Sequence, residues 1–580
     1  MNEGNRWKQR IGRRSLLRGS AIAAVGLGAA SLIGCGMGSP TTGGSAPPTV
    51  LGTTAPSTSA PKRGGIYKWV ANDDPPTWDP FANSAGSTQT FASGPYSRLF
   101  MNVTKAGANP FDLPPVGDLA ESWESADGQN WVVKIRKGVK FHNKAPLNGR
   151  GLTTQDVVSS WNRLTAKTSV TGAAFSEYTK LEAVDDYTIK FTMRAPSPTF
   201  VETLADATGF YILPKEVDGG GVDVKKQAIG TGPWVLESYE SGVRMKFSRN
   251  PDYYIKNCLW FDGVERVTIP EYGNRLAQFA AGNIHSINIA ADDVLDMRGR
   301  QPKVQWMDPL GDGLNWVNFS GPVESPNAPW RDERFRQAVS MAIDRAGQNE
   351  LSTNVSALKK AGVKVDESWN NVIPYGRGKN WWVNPQSAEQ GESAKFFKYN
   401  LAEAKKLLAA MGGAPKESIP YIYTPQYGKT YMSLAEAVRN YLADLGLNLA
   451  TDVQDYNSKY VTGAYRGNYQ GIAFMVGSSP SEIGAYLGRF FGKDPLNRGR
   501  IQPPEIASLL TQQAAEMNPE KRSALVKRIN VLNGEKMYYV PTQAHYGGDW
   551  TAFRPEIGGG SKTRSRGTPA EQDPYMWMES

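Results

Sequence analysis

Apolar residues alternate with polar ones along some stretches of this chain and recur at helical spacing along others. "GGIYKWV" (Gly64–Val70) alternates and is rich in β-formers, which predicts a first strand. The turn-rich "NDDPPTWDP" follows it. In "WVVKIRKGVKF" (Trp131–Phe141) apolar and basic residues alternate across a Lys-Gly pair, the pattern of a hairpin. "TTQDVVSSWNRL" (Thr153–Leu164) opens with Thr and Asp and then sets Val157, Trp161 and Leu164 at helical spacing. "DDYTIKFTM" (Asp185–Met193) reads as a strand approached through a turn. "RFRQAVSMAIDR" (Arg334–Arg345) gathers Phe335, Ala338, Val339 and Ala342 on one helical face, with Arg345 near the negative end of that helix. "NLAEAKKLLAAMG" is a helix starting at Asn400 and stopped by Gly412-Gly413. "SLAEAVRNYLADLGLNL" (Ser433–Leu449) and "PPEIASLLTQQAAEM" (Pro503–Met517) complete the predicted helices, with "YIYT" and "GIAFMV" as short strands. The C-terminal half thus alternates helix and strand, an α/β pattern, and the N-terminal half is richer in strands.

One apolar run has a different purpose. In "RRSLLRGSAIAAVGLGAASLIGCG" (Arg13–Gly36) the run from Ala21 to Ile33 follows Arg6, Lys8, Arg10, Arg13, Arg14 and Arg18, against the single acid Glu3. It fits the roughly 7–15 residues of a signal-peptide apolar region and falls short of the roughly 20 of a spanning helix. The paired arginines before Ser-Leu-Leu resemble a twin-arginine export signal, an address read by a receptor. Leu32-Ile33-Gly34-Cys35 resembles a bacterial lipobox, whose cleavage leaves Cys35 at the new N-terminus to carry lipid. A diacylglycerol plus an amide-linked acyl chain is enough for stable anchoring. Gly36 to Arg63, dominated by Gly, Ser, Thr, Pro and Ala, reads as a flexible tether.

Composition narrows the rest. Roughly 515 residues remain for two to four folded domains. Cys35 and Cys258 are the only cysteines, so with Cys35 acylated no intramolecular disulfide forms. Removing residues 1–34 takes away six bases and one acid and brings the formal charge from +9 to +4, which gives no argument for nucleic acid. His142, His285 and His545 are far apart, so no histidine metal site is expected, and His142 reads as part of a surface turn. "QYGKT" has Tyr423 where a phosphate loop needs Gly, and "GDGLNW" has Trp316 where a dinucleotide loop needs its third Gly.

Six blocks then carry a family resemblance. "DLAESWESADGQNWVVKIRKGVKFHNKAPLNGRGLTTQDVVSSWNRL" (Asp118–Leu164), "LEAVDDYTIKFTMRAPSPTF", "IGTGPWVLESY", "FSRNPDYY", "DERFRQAVSMAIDR" and "NLAEAKKLLAAMG" occur in the order found in family 5 extracellular solute-binding proteins of bacterial ABC importers. In "IGTGPW", Gly230 and Gly232 are expected to allow positive φ and a close backbone approach. The resemblance implies an α/β fold of two lobes joined by two hinge crossovers, with solute enclosed between them. Expected limits are signal peptide 1–34, lipidated Cys35 and linker to 63, first lobe 64–316 with an extra subdomain at about 81–214, second lobe 317–540, and a return to the first lobe with a tail at 541–580. The crossovers are expected near Leu314–Ser320 and Tyr538–Tyr546.

By the same resemblance the protein is no enzyme. It needs no cofactor or metal, acts as a monomer outside the cytoplasmic membrane, and delivers a peptide or other organic solute to permease and ATPase subunits. Ser84, Ser87, Thr88, Trp316, Phe474, Ser478, Ser479 and Glu482 are expected to line the cleft. In peptide-binding members the loop matching "VGSSPSEIGAYL" carries an aspartate that pairs with the ligand's ammonium group. Here that loop offers only Glu482, with Asp312 as an acid from elsewhere, so the expected ligand needs no ammonium anchor: a longer peptide held by its backbone, or a neutral solute. Two rival classes are a secreted glycan-active enzyme, suited by 16 tryptophans and 25 tyrosines, and a receptor serving a sensor.

Overall fold

The computed structural model describes residues 61–579 apart from 72, 84–85, 103, 106, 207–208, 478–479, 481, 543–549 and 561–570. The export stretch, Cys35 and the tether up to residue 60 lie outside the described residues, as do Ser84, Ser478, Ser479 and His545. Among the described residues no helix is long and apolar enough to cross a membrane, and no group of three or more His, Cys, Asp or Glu gathers as metal ligands would.

Two main sheets divide the chain. The first has seven strands in the order Trp234–Glu240, Arg244–Arg249, Gly263–Thr268, Ile66–Ala71, Ser286–Ile289, Trp550–Phe553 and Gln305–Met307. Ile66–Ala71 runs parallel to Gly263–Thr268, setting Tyr67 beside Val264 and Trp69 beside Arg266. Trp550–Phe553, from the far end of the chain, inserts antiparallel between two strands of this sheet. The second sheet orders Leu449–Val453, Ile419–Tyr423, Ile472–Gly477, Leu314–Phe319 and Val540–Pro541. All of Leu314–Phe319 therefore belongs to the second sheet, and the chain passes from the first sheet to the second at 308–313. It returns after Pro541.

The subdomain is a four-stranded antiparallel sheet, Ala120–Glu124, Asn130–Ile135, Thr188–Met193 and Tyr178–Asp185, under the helix Thr154–Thr165. Thr153 and Asp156 form a capping box at that helix's start. Trp161 on its inner face meets Phe210, Phe191, Tyr178 and Phe175 with ring centroids 5.5–6.3 Å apart. The predicted hairpin at Trp131–Phe141 does not close on itself. Asn130–Ile135 pairs with strands on either side, and past the Lys137-Gly138 turn Lys140 bridges Gly151 instead.

Helix starts follow their caps. Asn400 accepts from Glu403 N before Leu401–Ala409, and Gly412 and Gly413 end that run with φ of +98° and +101°. The helix Glu333–Ala342 stops at Ile343, and Asp344 caps the next one, Arg345–Thr353. Arg345 is 1% exposed; its Nη1 donates to Ser340 O at 3.1 Å and Phe397 O at 2.6 Å, so it does serve the carbonyl end of the preceding helix.

Gly230 and Gly232 make the close approach expected of them but not the positive φ. A Cβ at either would lie 2.1 Å from Pro95 O or 2.3 Å from Gly94 O, while neither adopts the left-handed conformation. His142 belongs to this contact and is a correction: it is 1% exposed, not on a surface turn. Its Nε2 lies 3.0 Å from Gly232 O and Gly230 N donates to Nδ1 at 3.5 Å, which fits the neutral tautomer protonated on Nε2.

Burial holds the His142 pKa down at about 4, below its ordinary 6.5. A depressed histidine lets the unfolded chain bind the extra proton, so its stabilising share is whole above pH 6.5 and is lost as pH falls toward 4. Denaturant midpoints measured across that window should show a fall of roughly 3 kcal/mol from this residue. His142→Gln should flatten that part of the slope relative to the parent chain.

Candidate functional site

Three loops meet where the chain passes from one sheet to the other: the crossing 308–313, the segment 109–112 of the first lobe, and the turn Tyr375–Arg377 with Gly378 of the second. Asn109 Nδ2 donates to Gly376 O at 2.9 Å. Glycine is needed here for space. A Cβ on Gly376 would stand 2.2 Å from Leu310 O, and one on Gly378, with φ +91°, 2.4 Å from Asp112 Oδ1.

Arg377 sits at the meeting point, 1% exposed. Nη1 donates to Pro480 O at 2.6 Å and Nε to Asp312 O at 3.4 Å. The guanidinium lies 4.0 Å from the Tyr486 ring and 5.4 Å from the Phe111 ring, so first lobe, crossing and second lobe all touch it. Burial lowers its pKa, and the charges of Tyr486, Asp312, Asp206 and Glu482 act against that. Asp312 is raised by burial, with Arg377 opposing. Asp206, just past the helix Phe200–Ala205, also acts on Arg489. An acid of the first lobe thus faces two arginines of the second.

The expected cleft residues separate into distinct settings. Pro480 borders the junction through its carbonyl. Glu482 is committed to scaffold. It caps the helix Ile483–Phe491, accepting from Gly484 N at 2.8 Å and Ala485 N at 2.6 Å, and pairs with Arg522 Nη2 at 2.5 Å. Trp316 is buried and reaches the junction only through other rings, its centroid 5.1 Å from Phe490, which is 5.0 Å from Tyr486. Phe474 lies on the other face of the sheet, because the register sets Trp316 beside Met475 and Val317 beside Phe474. It packs into a separate core against Tyr431 at 5.1 Å. Ser87 is half-buried on the helix Gly86–Ala92, and Thr88 beside it is fully buried with no hydrogen-bond partner for Oγ1. Arg377, Asn109 and Asp206 were not singled out from sequence. The available sign was "PYGRGKNWW", an arginine held between two glycines after a proline.

Two sheets joined by a double crossing, with loops of both lobes converging beside it, define a two-lobed solute-binding protein of the kind that serves ABC importers. Comparison with known proteins gives the family. Residues 114–498 match the bacterial extracellular solute-binding proteins, family 5 middle domain, and the chain belongs to that family. It is 23% identical over 403 residues to di/tripeptide-binding protein 1 of Pseudomonas aeruginosa, covering 65% of this chain and 70% of that one. It is 24% identical over 460 residues to heme-binding protein A of Haemophilus influenzae, covering 74% and 78%. The structure of the ABC transporter-associated periplasmic binding protein DppA from Helicobacter pylori, in complex with peptide STSA, superposes with a TM-score of 0.69 at 20% identity, covering 90% and 99%.

Arg377→Met keeps the aliphatic stem and removes the guanidinium bonds to Asp312 O and Pro480 O and its stacking on Tyr486 and Phe111. Hydrogen bonds to charged groups contribute about 1.5–3 kcal/mol, so a stability loss of that order is expected in denaturant titration. Because these contacts span the lobes, the variant should also give a larger radius of gyration in small-angle scattering.

Proposed function

We propose that this chain captures a peptide held through its backbone, or a neutral organic solute, between its two lobes and delivers it to an ABC permease driven by ATPase subunits. It does so as a monomer, without catalysis or a bound metal, tethered by lipid on Cys35 to the outer face of the cytoplasmic membrane. The observation that supports a closing cleft is the convergence of 109–112, 308–313 and 375–378 around the buried Arg377. Loops contributed by both lobes beside the crossings can change partners as the lobes open and shut. The names of the relatives suggest peptides or a large organic cofactor as the class of solute.

The engagement of Glu482 supports a ligand without an ammonium anchor. Its two oxygens already meet two backbone N–H groups and Arg522, and turning it toward a ligand would uncap a helix and strand a buried guanidinium. Native mass spectrometry of a peptide and solute library should give a ligand, followed by calorimetry with matched free and N-acetylated forms. Acetylation should change affinity less than about threefold; a loss of about 2 kcal/mol or more, the scale of a broken desolvated pair, would overturn this reading. For the anchor, Cys35→Ser should move the chain from the membrane to the soluble fraction, and continued membrane retention would contradict it.

A further inference from the structure

Inside the first lobe, away from the junction of the lobes, the first sheet and the helix Gly86–Ala92 border a partly open cavity of about 30 Å³. Trp69, Phe91, Trp234, Phe247, Arg266 and Asp573 are among the residues that line it. Trp69 and Arg266 stand side by side on paired parallel strands. Arg266 is 5% exposed, and its guanidinium is sandwiched between the Trp69 ring at 4.0 Å and the Phe91 ring at 3.3 Å. With both faces covered by rings, it can form hydrogen bonds only in its own plane. Yet Nε and Nη1 of Arg266, and the indole Nε1 of Trp69 and of Trp234, have no hydrogen-bond partner. Four buried donors thus surround one small space.

We infer that this cavity is a site for a halide-sized anion, held by the Arg266 guanidinium and the indole N–H groups of Trp69 and Trp234. The volume takes one or two atoms of that size, since a water needs roughly 10–15 Å³ by the same measure. Charge points the same way. A buried guanidinium requires a counter-charge, and among the described residues no carboxylate forms an ion pair with this one within 4 Å. Asp573 is the acid that shares the cavity, and burial pushes its carboxyl up to about 8, so at neutral pH it is largely protonated and Arg266 has no ionised partner in the cavity itself. A water molecule would add donors of its own where donors are already in excess, whereas an anion accepts from every side.

The other charged groups that act here are Asp73 and Asp74, on Arg266, and Tyr67, which is near Asp573. Tyr67 is held far above its ordinary value by burial and stays neutral, and Asp74 is committed to Gly242 N, Thr268 and Tyr239. The residue whose charge changes near neutrality is therefore Asp573. Above pH 8 its carboxylate would face Arg266 and compete with the anion, and Arg266, lowered by burial to about 9, begins to lose its charge just above, so affinity should fall as pH rises from 8 to 9.

The test uses the full chain. Melting is followed in sodium chloride, sodium bromide and sodium gluconate at matched ionic strength, and crystals grown in bromide are measured at the bromine edge. An anomalous peak within hydrogen-bond distance of Arg266 is expected, with a melting temperature about 2 °C higher in 300 mM halide than in gluconate at pH 7 and a smaller gain at pH 9. Trp234→Phe keeps the ring and removes one donor, so it should weaken the halide dependence several-fold. Arg266→Met should abolish it. If Arg266→Met fails to fold, the bromide map and Trp234→Phe still decide. No bromine peak in the cavity, or identical melting in halide and gluconate, would mean that water alone fills it and would overturn the proposal.

Discussion

A guanidinium taken out of water must be met by acceptors and ring faces on several sides, and at Arg377 those come from parts of the chain far apart in sequence. Pro480 and Tyr486 come from the second lobe, Asp312 from the crossing, and Phe111 from the first lobe. Desolvating the charge is costly unless all of them are in place. The geometry of the junction is therefore fixed by one residue's need for partners. The glycines around it follow from the same constraint, since Gly376 and Gly378 leave room for backbone and carboxylate to close in. This coupling connects the local turn at Tyr375–Arg377 to the relation between lobes on which solute capture depends.

The same device recurs where another exported protein would use a disulfide. Cys258 is buried and free. Arg345 ties the helix that precedes it to the return strand, with Nε donating to Pro541 O at 3.0 Å. Arg98 pairs with Glu571 at 2.5 Å and also bonds Ala205 O, which fastens the C-terminal segment to the first lobe. Arg522 holds Glu482 under the helix Ile483–Phe491. Charge-assisted bonds of this kind are directional, so each one fixes an orientation as well as a contact. Removing one partner leaves a buried charge exposed to its own desolvation, and this makes such links strict although their net contribution to stability is modest.

Much of the fold could be read along the chain because its elements announce themselves locally. The capping pair Thr153 and Asp156, the stop at Gly412-Gly413 and the alternation of Ile66–Ala71 depend on neighbours a few residues away. Other elements escaped for a physical reason. The helix Pro519–Lys536 buries Arg522, Asn530 and Asn533 beside Val526, Ile529 and Leu532, and the asparagines bond Trp381 O and Tyr539 O, so polar residues interrupt its inner face and blur the apolar stripe. His142 looked like a surface residue because a histidine after a strand carries no sign of the Gly230 and Gly232 carbonyls and amides that later enclose it.

Sequence by itself determined the α/β class, the ordered family blocks and the limits of the helices Thr154–Thr165, Leu401–Ala409 and Pro504–Ala515 to within a few residues. These follow from periodicity, caps and composition, which act over a few residues. Tertiary structure alone decided that Leu314–Phe319 lies wholly in the second sheet, that Trp316 and Phe474 face opposite ways, and that Glu482 serves a helix and Arg522. It alone gathered Asn109, Asp206, Asp312 and Arg377 around one junction. Strand register and long-range charge pairing are set by which surfaces meet, and two residues some 270 positions apart, such as Asn109 and Gly376, leave no mark of their contact in either neighbourhood.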